Sequence, residues 1–465
     1  MKRAEPGAGP IPLVQSCDVR RLFSSSSAPS YAYDIKNTRS HSVDCYNGLP
    51  CYTGSTLEFY LDPTHDWYLL SETLLQLKLA IVKLDENGEG QALDREEGGD
   101  DDFIGFIPFL GQTIISRLTV EINNTLLFDD EFSSTYDLEA YWRVLTGMTV
   151  DEIDMHLMEA VTTFNGLAPT MTSAPMRNRR NLAKESQGFV TLSPLIHPFF
   201  LQKRGLFGDA RIKIKIHTHA PRYLLIDTKP VPAGETPSRD LKYDIKILKA
   251  ELVMSRVTLE GSDLVRQQKR FRNSGHSFRW DSWSYGEFLV EPNTFHSAKT
   301  IISMGNLPKM IYIFLRPASA VGPNFRTDPY QTYDYKKVDT LYVQLTDADG
   351  EHRLPLSKGY CGKTETEGYN YILMKSQLPH LNRGKYMVTK ETWLRGYTFY
   401  PVNLLSYPAS YGCQVQQMRR ARLGSLKISI DFHGAIQEHV LVSWFTEKDC
   451  LLTVSAQDRV SMKYF

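Results

Sequence analysis

His217 and His219 stand two residues apart, the spacing at which two side chains share one face of an extended strand. Neutral imidazoles placed that way suit a zinc ion. No third His, Cys or carboxylate stands at a telling distance, however, and Lys213 and Lys215 occupy the same face, where they would repel a cation. The pair reads as strand histidines facing solvent. The run Gly359-Tyr360-Cys361-Gly362-Lys363-Thr364 imitates the tail of a phosphate-binding loop. The first glycine of G-x-x-x-x-G-K-[ST] would fall at 357, which is Ser357, and no buried parallel strand leads into it, so the match fails.

Charge clusters offer two further candidates. Nine carboxylates between Asp85 and Asp102 face a lone Arg95, but without the D-x-D-x-D-G order of a calcium loop they read as a solvated loop. Arg177, Arg179, Arg180 and Lys184 have the chemistry to hold a phosphate or an acidic neighbour, and the simpler reading is again a solvated basic loop (175–184). G-x-S-x-G, H-E-x-x-H and G-x-G-x-x-G are all missing. The carboxylate pair of a glycosidase is defined in space rather than in sequence, so spacing is silent on it. No catalytic, cofactor-binding or metal-binding residue is assigned, and no enzyme activity is expected.

The elements that would carry such groups are mostly strands. Leu75, Leu77, Leu79 and Ile81 alternate with Gln76, Lys78 and Ala80, the period of a half-buried strand. Leu118, Val120 and Ile122 do the same, and Asn123-Asn124 then supplies a hairpin turn into Thr125–Phe128. That turn also accounts for Asn123-Asn124-Thr125 better than a glycan does. Phe189–Leu192 and the clean alternation Ile212, Ile214, Ile216 follow. Met310–Leu315 is an apolar run with a proline just outside each end, Pro308 and Pro317, and reads as a strand buried on both faces. Further strand candidates are 242–248, 251–259, 340–345, 426–432 and 439–445. One stretch departs from this grammar. Ser134-x-x-Asp137 and Thr149-x-x-Glu152 look like capping boxes, each ahead of apolar residues at helical spacing, so a helical excursion is expected over about 134–161.

At 465 residues the chain is long enough for more than one domain. Aromatic content of 11% leans toward β structure. Lys+Arg and Asp+Glu are both 53, without the basic excess of a dedicated nucleic-acid binder. Six cysteines (17, 45, 51, 361, 413 and 450) form no C-x-x-C, which argues for reduced thiols inside a cell rather than a zinc site or disulfide framework. The first residues lack the apolar core of a signal peptide, and no apolar run reaches the ~18 residues of a membrane span. The expected organisation is an arm over 1–52, flexible or docked, and a β-sandwich over 53–227. A Pro-rich linker follows at 228–241, then a second sandwich over 242–465.

The order of landmarks resembles the double jelly-roll major capsid proteins of the Polinton (Maverick) and adintovirus lineage. Gly305-Asn306-Leu307-Pro308-Lys309 before Met310–Leu315 is similar to that family's G-x-L-P-x approach to a core strand. Gly322-Pro323-Asn324-Phe325 resembles its Asn-Pro-Phe loop with the first two residues exchanged. Asp349-Gly350 before Leu354-Pro355-Leu356, Leu394-Arg395-Gly396-Tyr397-Thr398 and Gly424–Phe432 complete the second half. In the first half, Leu118–Phe128 resembles the family's hairpin. Gly188–Leu195 with Phe199-Phe200 resembles a strand and Asp-Phe-Phe segment, with Pro198 in place of the acid. The resemblance spans roughly 54–464 and rests on order rather than on any one motif.

What it implies is an all-β structural protein, two jelly rolls side by side with one helical insertion. Three chains would form a pseudo-hexagonal capsomer of an icosahedral shell. Implied partners are further copies of the chain, a minor or penton capsid protein, and packaged DNA near Lys2, Arg3, Arg20 and Arg21 of the arm. The implied location is the virion and the interior of the host cell, without secretion. Two alternatives stay open: a two-sandwich glycan-binding or glycan-active protein, and a domesticated relative that no longer assembles.

Overall fold

The computed structural model of the chain describes residues 35–85, 89–93, 99–129, 135–147, 174–185, 187–197, 199–201, 205–208, 210–229, 242–321, 329–348, 350–357, 364–377, 390–394, 396–404, 423–454 and 460–464. Sixteen strands carry the architecture. The first eight are β1 (Ile35–Asp44), β2 (Thr56–Leu61), β3 (Trp67–Leu84), β4 (Ile115–Ile122), β5 (Thr125–Asp129), β6 (Phe189–Pro194), β7 (Ile212–Thr218) and β8 (Tyr243–Leu259). The second eight are β9 (His276–Val290), β10 (His296–Asn306), β11 (Met310–Pro317), β12 (Val338–Asp347), β13 (Gly350–Ser357), β14 (Tyr400–Asn403), β15 (Leu423–Phe432) and β16 (Val440–Val454).

Pairing is antiparallel throughout and follows one rule twice. The first half forms the sheets β1-β8-β3-β6 and β2-β7-β4-β5. The second forms β9-β16-β11-β14 and β10-β15-β12-β13. Counted from one within each half, both read 1-8-3-6 and 2-7-4-5. That order is a jelly roll, in which two Greek keys close a pair of sheets on each other. The fold is a double jelly roll.

The periodicities place the core where they should. Ile212, Ile214 and Ile216 of β7 are fully buried, while Lys213 and Lys215 point outward to Glu58 and Glu121, each at 3.2 Å. Leu118, Val120 and Ile122 of β4 pack from the neighbouring strand. Asn123 and Asn124 both take left-handed φ, 48° and 62°, as a tight two-residue hairpin demands and as asparagine tolerates.

Three expectations are corrected. The second sandwich does not begin at 242: β8 runs the length of β3 in the first jelly roll, because its first sheet lacks a second strand until the chain returns to fill that place. The joint is instead a helix, α3 (Gly261–Ser274), closed by Gly275 at φ 68°, whose N–H returns to the Phe271 carbonyl. Nor is 1–52 wholly an arm. Residues 35–44 form β1, paired with β8 from Ile35↔Leu259 to Asp44↔Glu251. Residues 1–34 and 230–241 lie outside the described residues.

The third correction concerns helices. α1 (Tyr136–Gly147) stands where the excursion was expected and ends on a glycine, while 148–173, including the second capping box, lie outside the described residues. The supposed basic loop is a helix, α2 (Ala174–Ala183). Pro175 falls in its first turn, where a missing N–H costs nothing. A second excursion, α4 (Thr364–Gln377) and α5 (Lys390–Leu394), occupies the equivalent position in the second half, between its fifth and sixth strands. Among the described residues no helix is long and apolar enough to cross a membrane.

Candidate functional site

The residues singled out from sequence do not converge. His217 faces out from β7, its Nδ1 2.8 Å from the Thr56 hydroxyl. His219 lies beyond the strand end, and its backbone N–H donates to the Ile114 carbonyl. Among the described residues no three His, Cys, Asp or Glu side chains cluster as a metal site would require. Arg179 is fully buried in α2 and Arg180 nearly so, with Arg177 exposed, so the basic group is no open phosphate cradle. The acidic stretch is likewise partly internal. Asp101 Oδ1 accepts hydrogen bonds from Lys83 Nζ (2.8 Å) and from the Tyr243 hydroxyl (2.7 Å), and Asp102 pairs with Lys184. Cys45, Cys51 and Cys450 form no disulfide. Of the phosphate-loop imitation, 359–363 lie outside the described residues, as do Cys17, Cys361 and Cys413.

What the fold does build is a seam between the jelly rolls. α1 belongs to the first by connection, starting on Asp137 and Glu139, acids suited to a helix N-terminus. Leu138, Ala140, Tyr141, Trp142 and Val144 are all buried, more than one apolar stripe needs. The helix is covered on both sides. On its own side, Phe109 meets Tyr141 edge-on at 5.3 Å. On the other, Tyr141 stacks on Tyr330 at 4.2 Å, and Trp142 stacks on Phe314 at 4.4 Å while Phe399 meets it edge-on. The Arg143 guanidinium lies 3.9 Å over the Trp283 ring, and its Nη2 is 3.8 Å from Glu447. Each such ring pair is worth about 0.5–1.5 kcal/mol beyond the area it buries.

The receiving surface is the outer face of the sheet β9-β16-β11-β14. Register brings Trp283 opposite Glu447, Tyr285 and Tyr312 opposite Phe445, and Phe314 opposite Ser443. Trp283, Tyr285, Tyr312, Phe314 and Phe445 are thereby in ring contact with one another. This is why β11 is apolar at successive positions. One of its faces lines its own jelly roll, and the other faces the neighbouring one. Sequence reading finds both the doubly buried strand and the helix, but not that the helix covers the strand.

Where the seam opens it leaves a cavity of about 740 Å³. Asp137, His219 and Tyr223 line one wall; Tyr285, Glu287, Arg316 and Tyr330 line the other. Tyr330 donates to Asp137 Oδ2 across the seam at 2.8 Å. His219 Nε2 lies 3.4 Å from Asp137 Oδ1, and neither atom makes a hydrogen bond among the described residues. Arg316 is buried at 3% exposure; its Nη2 reaches the Tyr285 hydroxyl (3.3 Å) and Ser443 Oγ (3.4 Å), and its Nε has no acceptor among the described residues. Burial holds the Tyr285 phenol above its ordinary pKa, so it stays protonated and donates to Glu287. No pattern in the sequence announces this pocket, since its walls come from separate segments of the chain, around 137, 219, 285, 316 and 330.

With strand order and seam described, the fold is that of double jelly-roll proteins, and solved structures share it over nearly the whole chain. The mavirus major capsid protein superposes with a TM-score of 0.55 at 12% identity, covering 100% of this chain and 95% of that one. The Faustovirus major capsid protein gives 0.54 at 10% identity, with 92% of each chain covered. A chain of the Sputnik virophage gives 0.54 at 10% identity, covering 99% of this chain and 93% of its own. No protein-family model matches the sequence, and no curated protein does.

Proposed function

We propose that the chain is a major capsid protein, a structural subunit that tiles a closed shell. The observation carrying this reading is that the likeness to the mavirus major capsid protein covers 100% of this chain and 95% of that one, so it takes in both jelly rolls. A tile needs two comparable blocks held in one fixed relation, and the stacked rings around Trp142 and Tyr141 supply that relation. Equal numbers of acidic and basic residues suit repeated side-to-side contact between identical copies, which a net charge would oppose.

In the finer reading, three chains form a pseudo-hexagonal capsomer of the Polinton and adintovirus type, and the protein resides in the virion after assembly inside the host cell. The basic residues near the start of the chain then face packaged DNA or a minor capsid protein. Catalysis has no part in this role.

Light scattering on a sizing column, with negative-stain images of the same fractions, tests the proposal. Trimers with hexagonal outlines, or shells, support it; a monomer at all concentrations overturns it. Removing residues 1–30 tests the arm. Unchanged assembly and unchanged DNA retention would dismiss its assigned role.

A further inference from the structure

We propose that the seam cavity binds a small zwitterion of amino-acid to dipeptide size, with its carboxylate on Arg316 and its ammonium group on Asp137. This inference rests on the cavity and not on the capsid reading.

The volume of about 740 Å³ falls within the roughly 300–1,000 Å³ usual for small-molecule sites. Its lining carries charge of both signs on opposite walls. On the wall from the second jelly roll, the buried Arg316 has two long hydrogen bonds from Nη2 and none from Nε. Its nearest carboxylate, Glu287, is 3.9 Å away and 47% exposed, so it does not saturate the guanidinium. A planar cation buried with donors to spare suits a carboxylate, whose two oxygens accept two N–H groups in parallel. On the wall from the first jelly roll, Asp137 accepts one hydrogen bond at Oδ2 from Tyr330, and its Oδ1 makes none, with His219 Nε2 3.4 Å away. That oxygen calls for a donor, and an ammonium group supplies three.

Charge complementarity decides the class of ligand. A simple anion would meet Arg316 but also Asp137 and Glu287; a simple cation would meet both carboxylates but also Arg316. Only a molecule with both charges satisfies both walls. The rings of Tyr223, Tyr285 and Tyr330 and the Leu138 side chain leave apolar surface for whatever lies between or beside the two charged ends. Because the walls belong to different jelly rolls, an occupant ties one to the other and stabilises the pair.

The test is isothermal titration of the purified full chain with alanine, glutamate, lysine and alanyl-alanine, paired with thermal unfolding. Two blocked probes need no mutation: N-acetylalanine, which lacks the ammonium, and alaninamide, which lacks the carboxylate. The expected result is saturable binding of at least one zwitterion, a raised unfolding midpoint, and affinity about ten-fold or more above that of either blocked probe. Arg316→Gln and Asp137→Asn should each weaken binding by about ten-fold or more, and Glu287→Gln, at the mouth, by less than about three-fold. Absence of saturable binding by every zwitterion, equal binding by the blocked probes, or full binding by folded Arg316→Gln and Asp137→Asn overturns the proposal.

Discussion

The Trp142 indole of the first jelly roll lies stacked on the Phe314 ring of the second, centroids 4.4 Å apart and planes 28° from parallel. Neither residue belongs to the interior of the other's sandwich, yet both are as buried as core residues. The contact makes the outer face of the sheet β9-β16-β11-β14 into a further core, shared between the halves. A surface that would otherwise expose Trp283, Tyr312, Phe314 and Phe445 is removed from water, and the two jelly rolls fold as partners rather than as beads on a string.

Trp142→Ala should therefore cost about 3–5 kcal/mol of stability, the range for emptying a buried aromatic site, although the side chain sits in a helix outside both sandwiches. Trp142→Phe, which keeps a ring against Phe314, should cost clearly less. A double-mutant cycle with Phe314→Leu should return a coupling of about 0.5–1.5 kcal/mol. Urea unfolding measures all of these. A Trp142→Ala loss below about 1 kcal/mol would mean that the seam is not a core.

The strands with strict alternation were legible in sequence because each is covered on one side by its own sandwich and on the other by water. β7, with Ile212, Ile214 and Ile216 in and Lys213 and Lys215 out, is the clearest case. β11 was legible as a doubly buried strand, but its second cover, Trp142, lies about 170 residues away and has no local signature. β9 was missed. Its Trp283 and Tyr285 face the seam beside polar neighbours, so neither an apolar run nor clean alternation marks it. α2 was missed because a helix with Arg177, Arg179 and Arg180 shows basic residues where apolar periodicity is sought. The domain boundary was misplaced because a proline-rich stretch was taken for a linker, whereas the eighth strand of a jelly roll must still return to the first sheet. The cavity was illegible for the same reason as the seam: Asp137, His219, Glu287 and Arg316 meet only after both halves have folded.

Gly286 occupies the middle of β9 opposite Trp444. A Cβ built there would stand 2.3 Å from the indole Cζ2 and 2.5 Å from Cε2. The ring lies against Phe288 as well, and the close atoms belong to its rigid bicycle rather than to a flexible chain end. Gly286→Ala should destabilise by about 1–3 kcal/mol as an overpacked site, even though alanine is the better strand residue. In a Trp444→Leu background the same substitution should become nearly neutral. Thermal unfolding of the four proteins checks the pair, and an equal cost in both backgrounds would rule out the clash.

Asp101 is 2% exposed and holds Lys83 and the Tyr243 hydroxyl together. It joins a short helical turn to β3 and to β8, the strand that returns late to the first sheet. Asp101→Ala leaves a buried hydroxyl and an ammonium without their acceptor and should cost about 2–4 kcal/mol. Asp101→Asn keeps one carbonyl oxygen and should cost less. Adding Lys83→Met and Tyr243→Phe to Asp101→Ala removes the stranded donors and should recover part of the loss, which chemical denaturation would detect.

His197 is enclosed in the turn after β6, where its Nδ1 accepts the Phe199 N–H at 3.1 Å. That bond fits a neutral ring, and burial, with the Arg143 charge second, holds its pKa well below the ordinary 6.5. Folded protein thus refuses a proton that the unfolded chain accepts. The linkage sign follows: the unfolded state binds more protons, so the contribution of His197 is fully present above about pH 6.5 and is lost as the pH falls below it. The slope tends toward about 1.4 kcal/mol per pH unit for one proton. His197→Asn, whose side-chain oxygen can take the place of Nδ1, should flatten the acid limb by that one proton. Urea unfolding of both proteins between about pH 5 and pH 8 reads the difference directly, and parallel acid limbs would show that His197 is not the group being titrated.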